Sequence, residues 1–210
     1  MAYYPVLLEL ADHPCVVLGG GVIAERKIAG LRAVGAVVTV VSPTLTPRLE
    51  QWAREGTVRH VRRTYRSGDL AGSRLAFAAT GDSAVNAAVY QEGLELGVWV
   101  NAVDDPTHCD FILPGVVRRG HISVAVATGG KSPALTRAIR DELDAYLSAD
   151  YALLSEVAAE ARQRLCASER RATGECWSKA LTDSGFRRLV REGRRAQAIE
   201  QLVQQLGEET

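Results

Sequence analysis

The sequence predicts an α/β fold with a parallel sheet in its first half, followed by a hairpin and helices. Between residues 15 and 100, short apolar runs typical of buried strands alternate with amphipathic segments typical of helices. A run of three glycines follows the first apolar run, where a strand would turn into a helix. After Pro106 this alternation stops. Alternating strands and helices imply parallel strands that are joined by right-handed crossovers.

The predicted strands of the sheet are short and rich in apolar or β-branched residues, as strands buried on both faces usually are. We predict them at residues 15–18, 37–41, 57–61, 75–79 and 98–100. One helix is predicted after the glycine run, because Ala24, Ile28 and Leu31 share one face. Two further helices are predicted at residues 47–55 and 82–96.

The second half of the chain has a different pattern. Residues 111–117 and 122–127 are predicted to form a hairpin with a turn at 118–121. Ser132 and Pro133 are a typical start for a helix that runs to about residue 147. From residue 151 onward the chain is predicted to be helical, with breaks at 168–176 and at Gly193. The predicted domains are a sheet domain, residues 1–113, a dimerisation segment, 114–148, and a small helical domain, 149–210.

Composition narrows the class of protein and its partners. Of 210 residues, 47% are hydrophobic and 24% are charged, and the formal net charge is zero. A chain without net charge has no overall field that attracts nucleic acid or an anionic membrane, so we expect neither as a partner. The apolar stretch 15–24 is too short to span a bilayer, and the chain begins without a signal-peptide pattern. The four cysteines form no C-x-x-C pair. We therefore expect reduced thiols and a cytoplasmic location.

The glycine run matches the dinucleotide-binding motif G-x-G-x-x-A, with Gly19 as its first residue and Ala24 as its last. In this motif the first glycine allows a tight turn, and the second, Gly21, allows a pyrophosphate to approach the backbone. The N-terminus of the following helix then offers free N–H groups to the phosphates. A glycine run alone is a weak signal, but this one lies between a strand and a helix, as the motif requires. The sequence therefore predicts a Rossmann-type sheet, and it disfavours the alternative of a turn without a ligand.

The residue at the position that usually binds the ribose of the dinucleotide is of a different type in this chain. An Asp or Glu is expected at the end of the second strand, and Ser42 stands there, followed by Pro43 and Thr44. A serine can still form a hydrogen bond with a ribose hydroxyl. Close to Ser42 the sequence shows no Lys or Arg to bind the 2′-phosphate of NADP. These observations favour NAD as the cofactor.

Two carboxylates follow the fifth predicted strand, at the edge of the sheet where ligands bind in open α/β folds. Asp104 or Asp105 is placed there to act as a general base. However, Asp-Asp-Pro is also a common turn sequence. The residues alone leave both interpretations open.

Several segments that are unrelated to one another occur in a characteristic order and at close spacing. They are residues 4–6, 19–27, 78–80, 101–104, 111–114 and 128–135. Together they resemble the precorrin-2 dehydrogenase/sirohydrochlorin ferrochelatase family, the N-terminal module of siroheme synthase. The resemblance covers about the first 150 residues, with uncertain boundaries.

The resemblance implies an NAD-dependent oxidation of precorrin-2 to sirohydrochlorin, followed in many members by the insertion of ferrous iron to give siroheme. Whether this chain inserts iron, or another metal, is left open. The key aspartate of the family falls on Asp104, which favours this residue over Asp105 as the base. Members are homodimers in which the segment after the sheet domain lies between the subunits. The complete set of predicted cofactor-binding residues is Gly19, Gly21, Val22, Ile23, Ser42, Pro43, Thr44, Thr80 and Asn101.

Precorrin-2 bears many carboxylates, so its binding site is expected to contain basic residues. Residues 111–140 include five Lys or Arg and no Asp or Glu. Lys131 and Arg137 flank the glycines at 129–130, and arginine pairs well with carboxylates. Thr128 aligns with a serine that is phosphorylated in some members, and it completes the predicted substrate-binding set. No His/Cys cluster has metal-ligand spacing, so no resident metal is expected.

Two alternatives share the predicted fold, and the fold does not determine the function. The first is a non-catalytic NAD-sensing module, which would need the glycine motif but neither Asp104 nor the basic hairpin. The second is a small dehydrogenase that acts on a different substrate.

Overall fold

The computed structural model describes residues 3–208. The chain divides into two compact units, Met1–Leu113 and Pro114–Thr210. The first unit contains a parallel five-stranded sheet in the order β3-β2-β1-β4-β5, which confirms the predicted α/β fold class. Its strands are β1 (Pro14–Leu18), β2 (Val37–Val41), β3 (Arg59–Val61), β4 (Leu75–Ala78) and β5 (Trp99–Ala102). Its helices are α1 (Val22–Arg32), α2 (Pro47–Arg54) and α3 (Ser83–Leu96).

The sheet has a separate apolar cluster for each of its two faces. Helices α1 and α2 contribute Ile28 and Leu49 to one cluster, which also contains Val17 of β1. The other cluster contains Val16 of β1 and Val89 of α3. Because consecutive strand residues point to opposite faces, the central strand β1 supplies both clusters. Each of these side chains is fully buried, which stabilises the fold by about 1.5–3 kcal/mol relative to an exposed position.

The connection between β3 and β4, residues 62–74, contains no helix. The carboxylate of Glu92, a buried residue of α3, accepts hydrogen bonds from the backbone N–H groups of Gly68 and Leu70 at 3.1 and 2.9 Å. It also accepts a hydrogen bond from the hydroxyl of Tyr65 at 2.5 Å. Burial and this bond raise the pKa of Tyr65 above its usual range. One side chain of α3 therefore anchors the middle of the connection, from Tyr65 to Leu70.

The second unit contains an antiparallel hairpin and five helices within its described residues. The hairpin consists of β6 (Gly115–Arg119) and β7 (Ile122–Val126). The helices are α4 (Pro133–Tyr146), α5 (Asp150–Ala167), α6 (Gly174–Thr182), α7 (Ser184–Arg191) and α8 (Arg195–Glu208). Ser132 caps α4 and Pro133 is its first residue, as the sequence suggested. The last four helices share a core that includes Val157, Phe186 and Leu202. The division of this unit at residues 148 and 149 stays a prediction.

The hairpin differs from the predicted one at its beginning. Its first strand starts at Gly115, not at residue 111. Phe111 belongs to the first unit, where its ring packs edge-on against Phe77 with the centroids 5.5 Å apart. Pro114 has no N–H to donate to a ladder, which explains why the strand starts after it. The turn is confined to residues 120–121, where Gly120 has a positive φ of 55°.

None of the helices within residues 3–208 has the length and apolar character that crossing a membrane requires.

Candidate active site

A cleft of about 660 Å³ opens at the carboxyl edge of the sheet in the first unit. This volume lies in the range of small-molecule sites. Its walls come from three places: the glycine run with the start of α1, the end of β4 with the start of α3, and the loop after β5. The lining residues are Gly21, Val22, Ile23, Ala79, Thr80, Gly81, Ser83, Asn86, Val103, Asp104 and Asp105. Five residues of the predicted site therefore lie together: Gly21, Val22, Ile23, Thr80 and Asp104.

The three glycines of the run differ in why a glycine occupies the position. Gly19 has a φ of 116°, and a Cβ there would lie 2.3 Å from the carbonyl oxygen of Ala79. A Cβ at Gly20 would lie 2.0 Å from the carbonyl oxygen of Thr44. A Cβ at Gly21 would meet nothing within 4 Å. The first two glycines therefore allow close packing within the protein, whereas Gly21 faces open space in the cleft.

The start of α1 is suited to bind an anion. Gly21 is the N-cap residue of α1 and provides no side-chain cap. The first backbone N–H groups of a helix have no partner within the helix, and together with the helix dipole they attract phosphate. Because Gly21 and Val22 both line the cleft, a dinucleotide pyrophosphate fits at this end of it.

Ser42, the predicted ribose ligand, is buried, and its hydroxyl donates a hydrogen bond to the carbonyl oxygen of Thr44 at 2.7 Å. This bond shapes the turn after β2 and leaves the exposed residues Pro43 and Thr44 as the accessible part of the loop. A contact of Ser42, Pro43 or Thr44 with the ribose stays a prediction.

An arginine in the first turn of α2 follows this loop in the chain. Arg48, in the first turn of α2, has its guanidinium 3.7 Å from the carboxylate of Glu25. The same carboxylate accepts a hydrogen bond from Thr46 at 2.5 Å, and the backbone N–H of Thr46 bonds to Gly20. The expectation that no basic residue beside Ser42 binds a 2′-phosphate stays a prediction. Arg48 is the first basic residue after the loop, and the negative charge of Glu25 beside it opposes the binding of a phosphate.

The two carboxylates after β5 have different environments. Asp105 accepts hydrogen bonds from the backbone N–H and the hydroxyl of Thr107, and its second oxygen lies 2.6 Å from Nδ1 of His108. Hydrogen bonds from Thr107 and His108 hold the pKa of Asp105 below its usual range. Asp104 is exposed and forms no hydrogen bond or ion pair with the described part of the chain. The turn role therefore falls on Asp105, and the carboxylate of Asp104 is available to a ligand.

The backbone at Asp104 is in the left-handed region, with a φ of 57°. Aspartate and asparagine tolerate this conformation better than most residues. The loop that presents Asp104 folds back along β5, where Asp110 accepts a hydrogen bond from the backbone N–H of Val100 at 2.8 Å. The thiol of Cys109 donates to the carbonyl oxygens of Ala102 and Asp105 at 3.2 Å. Burial raises the pKa of this thiol.

Asn101 is placed differently from the other predicted cofactor residues. It is buried, and its side-chain amide donates hydrogen bonds to the carbonyl oxygen of Phe111 at 2.8 Å and to the sulfur of Cys109 at 3.5 Å. It does not line the cleft. Asn101 therefore fixes the loop that carries Asp104, and its direct contact with the cofactor stays a prediction.

The structure adds a polar group that the sequence did not reveal. Asn86 of α3 is buried at the cleft, and its side-chain oxygen accepts a hydrogen bond from the hydroxyl of Thr80 at 2.7 Å. Asp82 caps α3 by accepting hydrogen bonds from Ala84 and Val85. Asn86 thus orients Thr80 at the end of β4. The sequence signal for it was an asparagine among the apolar residues 84–89 of the helix.

The predicted substrate-binding residues all lie in the second unit. The hydroxyl of Thr128 bonds to the carbonyl oxygen of Ser132 and to the hydroxyl of Thr136, each at 3.0 Å, and so closes the loop before α4. Lys131 and Arg137 are exposed and form no ion pair with any residue from 3 to 208. They are thus available to a carboxylate, and their role stays a prediction. Within the same described range, no group of three or more His, Cys, Asp or Glu is arranged to hold a metal ion.

The glycine run, the uncapped start of α1 and the cleft at the carboxyl edge of the sheet define a Rossmann-type dinucleotide-binding protein. A family model described as "Putative NAD(P)-binding" matches residues 6–115 of the 210-residue chain, and the chain belongs to this family. A second model, described as "Sirohaem biosynthesis protein central", matches residues 119–146. The two matches confirm the predicted resemblance to the precorrin-2 dehydrogenase/sirohydrochlorin ferrochelatase family.

Individual relatives agree with this assignment. The siroheme synthase of Methylobacillus flagellatus is 41% identical over 83% of this chain and 37% of its own length. The siroheme synthase of Nitrosococcus oceani is 38% identical over 90% of this chain and 41% of its own length. The chain therefore spans about two fifths of these curated relatives. Among solved structures, SirC, a precorrin-2 dehydrogenase, is 28% identical, with a TM-score of 0.73 over 94% of this chain and 99% of its own.

Proposed function

We propose that this protein oxidises precorrin-2 to sirohydrochlorin with NAD, as a step of siroheme biosynthesis. The observation that carries the proposal is the position of Asp104, an unpaired carboxylate in the same cleft as the glycine run. The siroheme synthase relatives and the likeness to SirC support the choice of substrate. A non-catalytic NAD-sensing module is not favoured, because such a module has no use for a free carboxylate at this position.

The reaction removes a hydride and a proton from the tetrapyrrole. NAD, when bound, would supply the acceptor for the hydride. Gly21 and the first N–H groups of α1 would hold its pyrophosphate, and Thr80, oriented by Asn86, lies deeper in the same cleft. Asp104 accepts the proton. A carboxylate without an internal partner can take up this proton without breaking another hydrogen bond, which suits a general base.

Iron insertion is a second candidate activity of the same cleft. Ferrous iron would enter as a substrate and displace two pyrrole N–H protons from sirohydrochlorin. Asp104 is again the available acceptor, because Asp105 is engaged with Thr107 and His108.

We expect the purified protein to produce sirohydrochlorin from precorrin-2 and NAD. The increase in the absorbance of sirohydrochlorin measures this reaction. NADP should support a lower rate at equal concentration, because Glu25 opposes the 2′-phosphate beside Arg48. Calorimetry with each dinucleotide gives the same comparison without turnover. Binding of NAD without oxidation of precorrin-2 would leave the NAD-sensing alternative in place, and a preference for NADP would contradict the ribose argument.

We also propose that the protein is a homodimer and that it is cytoplasmic. Helix α4 has no buried residue, and its Leu135 and Tyr146 are 51% and 71% exposed. Apolar surface of this kind favours a protein partner. The four cysteines are unpaired, in keeping with a reducing compartment.

Light scattering at micromolar concentration is expected to give the mass of two chains. Replacing Leu135 and Tyr146 together by serine and glutamine should shift the protein towards the monomer, since both side chains lie on the exposed face of α4. Replacement of Leu94 and Leu96, exposed residues of α3, is the matched control. A monomeric wild-type protein would rule out the dimer.

A further inference from the structure

The charged residues that line the cleft are acidic, which is unusual for a site that is proposed to bind a tetrapyrrole with many carboxylates. Its charged members are Asp104 and Asp105, and it includes no Lys or Arg. A substrate carboxylate that approaches Asp104 is repelled unless a cation compensates. The first unit should therefore contain a cation close to Asp104.

Lys27 of α1 is placed to provide this charge. It lies four residues after Ile23, hence one turn further along the same face of the helix, and Ile23 lines the cleft. The ammonium lies 5.5 Å from the ring centroid of Phe77 on β4. Phe77 is two residues before Ala79, which also lines the cleft. These contacts place Lys27 beside β4, close in the fold to residues that line the cleft.

The electrostatic surroundings agree with this placement. Burial and the neighbouring Arg26 lower the pKa of Lys27, and Cys109 and Asp104 act in the opposite direction. Within the described chain, Lys27 donates no hydrogen bond and forms no ion pair, although it is half-buried. The ring of Phe77 compensates only part of the lost hydration, so the ammonium retains the capacity to bind an anion.

We propose that Lys27 is the anion-binding residue of the cleft, and that it holds a carboxylate of the tetrapyrrole beside Asp104. The inference rests on the proposed function for the identity of the anion. The pyrophosphate of the dinucleotide is the other anionic oxygen group that enters this cleft. Its place is at Gly21 and the start of α1, whereas Lys27 lies one turn beyond Ile23 along α1, with its ammonium beside the ring of Phe77 on β4. This separation favours the substrate carboxylate.

The test compares Lys27→Met with Lys27→Arg, and uses Arg26→Met as a control on the exposed neighbour. Uroporphyrin III, a stable octacarboxylate porphyrin, serves as the probe, and its fluorescence reports binding without turnover. Lys27→Met should weaken porphyrin binding about 10- to 100-fold, the range for a hydrogen bond to a charged group. Lys27→Arg and Arg26→Met should stay close to the wild type. Calorimetry should show an NAD affinity within about twofold of wild type for every variant, if the pyrophosphate is held elsewhere.

Each other outcome has a definite meaning. Unchanged porphyrin binding in Lys27→Met would overturn the inference. If Lys27→Met weakens the binding of NAD but not of the porphyrin, Lys27 is an anion-binding residue whose ligand is the pyrophosphate. This result would overturn the inference that Lys27 binds a substrate carboxylate. If Lys27→Met does not fold, Lys27→Gln gives the same comparison with a side chain of similar length. A wild-type protein that binds porphyrin through Lys27 but does not oxidise precorrin-2 would refute the proposed function and leave this inference intact.

Discussion

Replacing Asp104 by asparagine is expected to lower the rate of precorrin-2 oxidation by about two to four orders of magnitude, the usual contribution of a positioned base. The amide keeps the shape of the carboxylate but cannot accept the proton. Asparagine also tolerates the φ of 57° at this position. Asp104→Ala should lose the same activity, but a left-handed backbone conformation destabilises alanine by roughly 1–2 kcal/mol. Asparagine therefore separates the loss of the base from a loss of stability.

Single-turnover rates and the NAD dissociation constant together test this expectation. NAD affinity should be unchanged in Asp104→Asn, because the pyrophosphate site is formed by the other wall of the cleft. Asp105→Asn is the matched control: its amide oxygen can still accept the hydrogen bond from Thr107, so the rate should fall much less. Near-normal oxidation by Asp104→Asn would remove Asp104 from the chemistry.

Gly21→Asp is expected to weaken NAD binding by at least about a hundredfold, since placing like charges side by side costs several kcal/mol. The new side chain meets no atom of the protein, as a Cβ at Gly21 has nothing within 4 Å. Gly21 is also the N-cap of α1, and aspartate is a preferred residue there. Its carboxylate would bond the N–H groups that the pyrophosphate needs. The variant should therefore be folded, and it should not bind NAD.

Thermal unfolding and calorimetry separate this effect from damage to the fold. Gly21→Asp should keep the wild-type melting temperature. Gly20→Ala provides the contrast, since its Cβ would lie 2.0 Å from the carbonyl oxygen of Thr44 and should lower the melting temperature. If Gly21→Asp retains NAD binding, the pyrophosphate must lie elsewhere than at the start of α1.

The sheet could be predicted because its signals are local. Strand β2 was predicted within its observed bounds, Val37–Val41, since a run of β-branched residues has few alternatives. Phe111 was assigned to the hairpin because an apolar run gives no indication of its packing partner. In the structure that partner is Phe77, 34 positions earlier in the chain. The break between α6 and α7 at Asp183 was also missed. Asp183 caps α7 by accepting a hydrogen bond from the backbone N–H of Phe186.

The parts of the candidate site that follow general rules for α/β folds could be predicted from the sequence. The glycine motif and the rule that ligands bind at the carboxyl edge predicted that Gly21 and Asp104 would meet, and both line the cleft. Side chains whose partners are distant in the sequence could not be assigned. Asn101 was expected to face the cofactor, but its amide is used by Phe111. Asn86 lies within a helix, and only the tertiary structure shows that its face of the helix meets the cleft.

The anchor that Glu92 provides has a consequence for the synthesis of the chain. Residues 62–74 leave the ribosome before Glu92, yet the backbone N–H groups of Gly68 and Leu70 bond to its carboxylate. The connection between β3 and β4 therefore gains these two hydrogen bonds only from a helix that is translated later. A nascent chain that ends before α3 contains β1, β2, β3 and β4, but it lacks the carboxylate that holds Gly68 and Leu70. The middle of this connection is thus completed only when α3 has emerged.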